Sequence, residues 1–258
     1  MPENAGSENP VFPACPARKE KKIHTGRRNS FSVHGRGPEL SISSVVSVSR
    51  CPIRYALGKK EKNPESWRYT LTKQLSLHLG EELDAKTVWE EACLVNDNPD
   101  PSQKPFLSEM VRLCGGKKDW RAAIATDVPV RSGSYGIHGT VDRIFENEPY
   151  FAIVRSSTAP AHGVYTADRL RVTGYTICLR EMLGDHVKGG TIEYLPSGAS
   201  RLVIVEPRDK RRFLQALSET RRIEEGGLPR RPFRPPCSHC PYEGDCEDTE
   251  GTRLSELL

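Results

Sequence analysis

Three cysteines within ten residues, in the C-terminal stretch CSHCPYEGDC that carries Cys237, Cys240 and Cys246, constrain this chain more than any other feature. Set among prolines and following a basic run, they do not read as packing residues. Two residues between Cys237 and Cys240 let one loop present both sulfurs to a metal, and five more before Cys246 permit a turn to add a third. The best fourth ligand lies far upstream, at Cys51 in SRCPIRYALGK, followed at once by Pro52. Four thiolates hold zinc or an iron–sulfur cluster. Zinc ligands more often come as two close pairs, whereas one remote cysteine plus a clustered trio suits a cluster that ties the ends of a domain. A 4Fe–4S cluster is therefore the leading expectation, zinc the alternative and no metal the third. His239, between two of the thiols, reads as a surface residue beside the site. Cys93, Cys114 and Cys178 fall at apolar helical positions and read as packing, and Cys15 as a free thiol in a tail.

The rest of the composition fits a soluble α/β protein. At 258 residues and 36% hydrophobic content the chain can bury a real core. No apolar run approaches the ~20 residues that span a bilayer, and the N-terminus lacks the apolar core of a signal peptide. A cytoplasmic protein without membrane contact is expected, and in that reducing compartment eight cysteines argue against disulfides. The net charge of +4 is small, but KEKK, GRR, DKRR, TRR and PRRPFR concentrate basic residues near the two ends. Such clusters are either solvated surface or a patch that follows phosphates. Residues 1–39 read as a disordered basic tail, 40–250 as one folded domain and 251–258 as a second tail.

Along that domain the hydrophobic period changes twice. Ser43 is expected to cap a short helix carrying Val45, Val46 and Val48, with Cys51 capping the next and Pro52 in its first turn. Leu71, Leu75 and His78 share one face of a helix stopped near Gly80, and DAKTVWEEACL and PFLSEMVRLCGG add two more. From Trp120 the pattern turns to strands: AIATDVPV, SYGIHGTVDRIF and PYFAIVRSS read as a meander. TADRLRVTGYTICLREMLG returns to helix, with Val172, Tyr175, Leu179 and Met182 facing inward. A hairpin around Pro196, Ser197 and Gly198 follows, then a last helix burying Phe213, Leu214 and Leu217.

This order, a cysteine, helices, a meander with GTVD, a helix with an internal tyrosine and then the cysteine trio, resembles the RecB-like PD-(D/E)XK nucleases. It looks most like their iron–sulfur branch, the CRISPR-associated exonucleases, over roughly residues 41–248. The resemblance implies a restriction-endonuclease-like central mixed sheet flanked by helices, with the C-terminal cysteine cluster as a staple. It also implies a site for Mg²⁺ or Mn²⁺, which activates water and neutralises the scissile phosphate. Asp142 in HGTVDRI matches the first carboxylate, with Gly139 three residues before it, and Tyr175 matches the helical tyrosine. The next strand departs from the pattern. Val154 stands where the second carboxylate belongs and Ser156 where the lysine belongs; valine offers a hard cation no oxygen, and serine carries no charge. Arg171 replaces the family's glutamine. With Arg143, Arg155 and Arg171 near the site, guanidinium groups are expected to meet phosphate directly. His78 matches a metal-binding histidine of many relatives, and Asp168 is the nearest candidate for a relocated carboxylate.

The resemblance thus implies an iron–sulfur protein that binds DNA, single-stranded by preference, with impaired or lost cleavage. Its setting would be CRISPR spacer acquisition beside the integrase, or DNA repair. An active metal-dependent single-strand exonuclease and a zinc-stapled interaction module are the alternatives.

Overall fold

The computed structural model describes residues 39–59, 65–96, 100–117, 120–233, 236–243 and 246. The expected tails, Cys15 among them, lie outside these residues, as does the His239 side chain.

Six strands form one mixed sheet, β1 (Leu40–Ser41), β2 (Ala125–Ser132), β3 (Ile137–Ile144), β4 (Phe151–Arg155), β5 (Gly189–Tyr194) and β6 (Ala199–Ile204). β2, β3 and β4 form the expected antiparallel meander. β4 then pairs parallel with β5, and β5 antiparallel with β6. The two-residue β1 was not expected from the sequence. It pairs parallel with the start of β3, Leu40 opposite Ile137 and Ser41 opposite His138, while β4 meets only Arg143 and Ile144 at the other end of β3. Gly139 to Asp142 therefore lie between two neighbours that share one side of the strand.

Helices cover both faces. On one, α1 (Ile42–Arg50), α6 (Thr166–Leu183) and α7 (Pro207–Glu224) pack Ile42, Val45, Leu179, Phe213 and Leu217 against Val141, Ile153 and Ile192 of the sheet. On the other, α3 (Trp67–Leu77), α4 (Ala85–Val95) and α5 (Lys104–Cys114) gather Leu71, Leu75, Val88, Ala92, Leu107 and Met110 around Val154 and Leu195. Burying each such Leu or Val contributes about 1.5–3 kcal/mol. The chain is thus a mixed α/β protein with a mixed sheet flanked by helices.

Most predicted elements form, with instructive exceptions. The cap of α1 is Ser41 rather than Ser43: its side chain accepts the Ser44 amide at 2.9 Å, because pairing of β1 with β3 holds Ser41 extended. Met182 (45% exposed) and Leu214 (37% exposed) do not join the core. Cys114 and Cys178 pack as expected, and burial pushes both thiols up to about 12, whereas Cys93 is only partly covered. Cys51 ends α1 and caps α2 (Pro52–Gly58), with Pro52 in the first turn as its missing N–H allows. α2 is tied to α7 by Glu224, which accepts from Tyr55 Oη at 2.6 Å and Lys59 Nζ at 2.7 Å.

Candidate functional site

Two sites emerge at separate places, a cleft beside β3 and a cavity among the cysteines. The cleft, of about 470 Å³, is lined by Tyr69, Asp127, Asp142, Val154, Arg155, Arg171 and Tyr175, together with Ser41, Ser43 and His138–Thr140. Five of the positions singled out in the sequence, Asp142, Val154, Arg155, Arg171 and Tyr175, meet here. Gly139 explains how the tyrosine fits, since a Cβ at that position would lie 2.8 Å from the Tyr175 ring. Burial pushes the Tyr175 phenol up to about 12, so it stays a neutral O–H donor across the physiological range.

Bound to both carboxylates of the cleft is a residue that the sequence did not single out. Lys73, reaching down from α3, places its ammonium 2.5 Å from Asp142 Oδ1 and 2.5 Å from Asp127 Oδ1. The hairpin register accounts for the pair of carboxylates. Thr126 opposes Arg143 and Val128 opposes Val141, so Asp127 stands across from Asp142, with its own backbone in the left-handed region at φ 53°. Like charges opposed across two strands repel, and the ammonium between them offsets that repulsion. Burial pulls the Lys73 pKa down, but Asp142 and Asp127 outweigh it and leave it raised. The other oxygen of Asp142, Oδ2, accepts the Val154 backbone amide at 2.8 Å. Both carboxylate oxygens are therefore engaged, one by a fixed cation and one by the neighbouring strand. Val154 itself turns its side chain into the core beside Leu71 and Leu75. Ser156 lies just past the end of β4 and does not line the cleft.

Lys73→Met is expected to cost about 1–3 kcal/mol, the range for losing charge-assisted hydrogen bonds. Because the Lys73 pKa is raised, its contribution is fully present below the ordinary lysine pKa and lost as pH rises through the raised value. The loss on mutation should accordingly be flat through neutral pH and shrink only in strong alkali, as chemical denaturation at several pH values would reveal.

The three arginines divide. Arg143 is not a surface group: it is 0% exposed, and its Nη1 contacts both Glu193 oxygens, at 2.7 and 2.9 Å. Its Nη2 donates to the carbonyls of Leu79, at 2.9 Å, and Arg121, and the guanidinium lies 5.1 Å from the centre of the Phe145 ring. The expected phosphate ligand is thus a buried structural cation. Arg155 is half-buried, with Nε 2.9 Å from Asp168 Oδ1 in ion-pair contact without hydrogen-bond alignment. Asp168 also accepts from Tyr194 Oη at 2.9 Å and is 2% exposed, so it is taken up by the core rather than turned toward Asp142. Arg171 lines the cleft with a buried Nε that has no hydrogen-bond partner. Burial first, and then the nearby Arg155 charge, pull its pKa down.

His78, at the C-terminal cap of α3, pairs with Glu91, Nε2 to Oε2 at 2.7 Å, and is not among the residues lining the cleft. Glu91, which also accepts from Gln74 at 2.9 Å, is held below the usual carboxylate range by Gln74 and His78.

The second site joins the two ends of the domain. Cys51, Cys237, Cys240 and Cys246 all line one cavity of about 40 Å³, with Ile53, Leu57, Arg54, Arg231 and Tyr242 completing its wall. The Cys51 sulfur accepts the Arg54 amide at 3.5 Å, and Arg231 Nη2 lies 3.9 Å from the Cys237 sulfur. Among the described residues no group of three or more His, Cys, Asp or Glu converges closely enough to hold a metal ion.

No protein-family model matches the chain, and no curated protein matches it significantly.

Proposed function

We propose that this protein is a non-cleaving, nucleic-acid-binding relative of the RecB-like PD-(D/E)XK nucleases, with a restriction-endonuclease-like sheet and an iron–sulfur cluster as its staple. The observation that carries the reading is the state of Asp142, whose two oxygens are engaged by the Lys73 ammonium and the Val154 amide. A hard divalent cation needs several oxygen ligands. Here a valine stands at the second carboxylate position on β4, and a tethered ammonium is held between Asp142 and Asp127. The residues present do not fit a catalytic Mg²⁺ or Mn²⁺, and no hydrolytic step is derived through one. What remains is a concave site edged by Arg155, Arg171 and the Tyr175 hydroxyl, donors suited to phosphate oxygens.

The four-thiol cavity fits a cluster by the chemistry of its donors. Cys51, Cys237, Cys240 and Cys246 would hold it, and its contribution would be a covalent tie between the first helices and the C-terminal segment. Four soft sulfurs lining one cavity are a donor set that suits an iron–sulfur cluster, with zinc as the alternative.

The test is a cluster-loaded sample of the full chain, incubated with Mn²⁺ and end-labelled single strands. Retention that weakens steeply with salt, without shortening of the label, is expected. Robust cleavage abolished by Asp142→Ala would reject the proposal in favour of an active exonuclease. A colourless, zinc-loaded protein that retains no strand would favour an interaction module instead.

A further inference from the structure

The cations in and beside the cleft are not equally satisfied. Lys73 has two carboxylates and Arg155 has Asp168, whereas Arg171 makes no hydrogen bond or ion pair among the described residues. Its Nε is sealed from solvent without a partner, while the side chain borders the cleft. A sealed donor without a partner is costly unless something supplies an acceptor. A ligand in the cleft would supply that acceptor, because the carboxylates lining the cleft, Asp127 and Asp142, are bound to Lys73.

The form of the site narrows the ligand. Its volume of about 470 Å³ falls in the range of sites that take one small group or molecule. An internal phosphodiester must let the chain leave in two directions and carries one negative charge. A terminal phosphomonoester needs one exit and carries about −1.5 to −2 at neutral pH, which matches a free guanidinium beside a half-exposed second one.

Resting on the nucleic-acid reading above, we propose that the cleft is a receptor for the terminal phosphate of a strand, with Arg171 as its principal ligand and Arg155 and the Tyr175 hydroxyl as its flanking donors.

The experiment compares one labelled single strand in three forms, bearing a 5′-phosphate, a 3′-phosphate or hydroxyls only, bound to the cluster-loaded full chain in EDTA at constant salt. One phosphorylated form should bind at least about tenfold more tightly than the hydroxyl form, the size of one net charge-assisted contact. Inorganic phosphate should compete that preference away. Arg171→Gln should abolish the difference between the forms, and Arg171→Lys should restore part of it. Equal binding of all three forms overturns the terminal-phosphate receptor while leaving nucleic-acid binding intact; failure to bind any form overturns both. The comparison with wild-type protein decides the question even if the variants do not fold.

Discussion

Arg143→Met is expected to lower the stability of the protein by about 3–5 kcal/mol, the range for removing one partner of a buried ion pair. Arg143 and Glu193 are both sealed in the interior, and the guanidinium also serves the Leu79 and Arg121 carbonyls. Methionine can fill the space but leaves a carboxylate and two carbonyls without a donor. Because natural domains are stable by only about 5–15 kcal/mol, much of the folded margin would be lost, read as a fall in the urea midpoint. Pairing the change with Glu193→Leu should recover most of the loss, since an apolar pair of similar volume replaces a buried charge pair at little cost. A single variant as stable as the parent would contradict the role assigned to Arg143. The pH dependence carries a second signature. Burial pushes the Glu193 carboxyl upward while Arg143 opposes it. Without Arg143 the folded-state pKa stands well above the unfolded value of about 4.3, so the native state holds the extra proton. The single variant should therefore lose stability as pH rises from the unfolded pKa through the raised folded one.

Cys240→Ser should be comparably damaging, through the other end of the molecule. If the four thiols share a cluster, the bond network closes a loop from Cys51 to the C-terminal trio, and loops longer than 100 residues are worth about 4–5 kcal/mol when closed covalently. The expected outcome is loss of visible absorption and bound iron, together with poor solubility or a Tm lowered by many degrees. Cys93→Ser, at a partly exposed helical position outside the cavity, should change neither colour nor iron content. A Cys240→Ser protein that keeps its Tm would show that the cavity does not hold the domain together.

How far the sequence led can be traced residue by residue. Cys51 and Pro52 were legible at a helix start because capping and the missing proline N–H are local rules, and the structure obeys them. The meander was legible because strand alternation and its turns are local too. Met182 and Leu214 failed for the opposite reason: helical period marks a face but not how far the neighbouring element extends to cover it. In the cleft, Asp142, Arg155, Arg171 and Tyr175 came together as expected, while Arg143 did not, since its partner Glu193 lies fifty residues further along the chain. Asp127 could have been found by writing out the β2–β3 register, which sets it opposite Asp142. Lys73 left no such trace, because a lysine in an amphipathic helix usually meets solvent, and only the packing of α3 against β4 brings it to the carboxylates.

The placement of β1 bears on the order in which this chain can mature. Leu40 and Ser41 find their hydrogen-bonding partners about a hundred residues later, and α1 packs against α6 and α7 further downstream still. A nascent chain must therefore carry β1 and α1 unfinished until α7, which ends at Glu224, has been made. The early segment can settle only once partners far downstream exist.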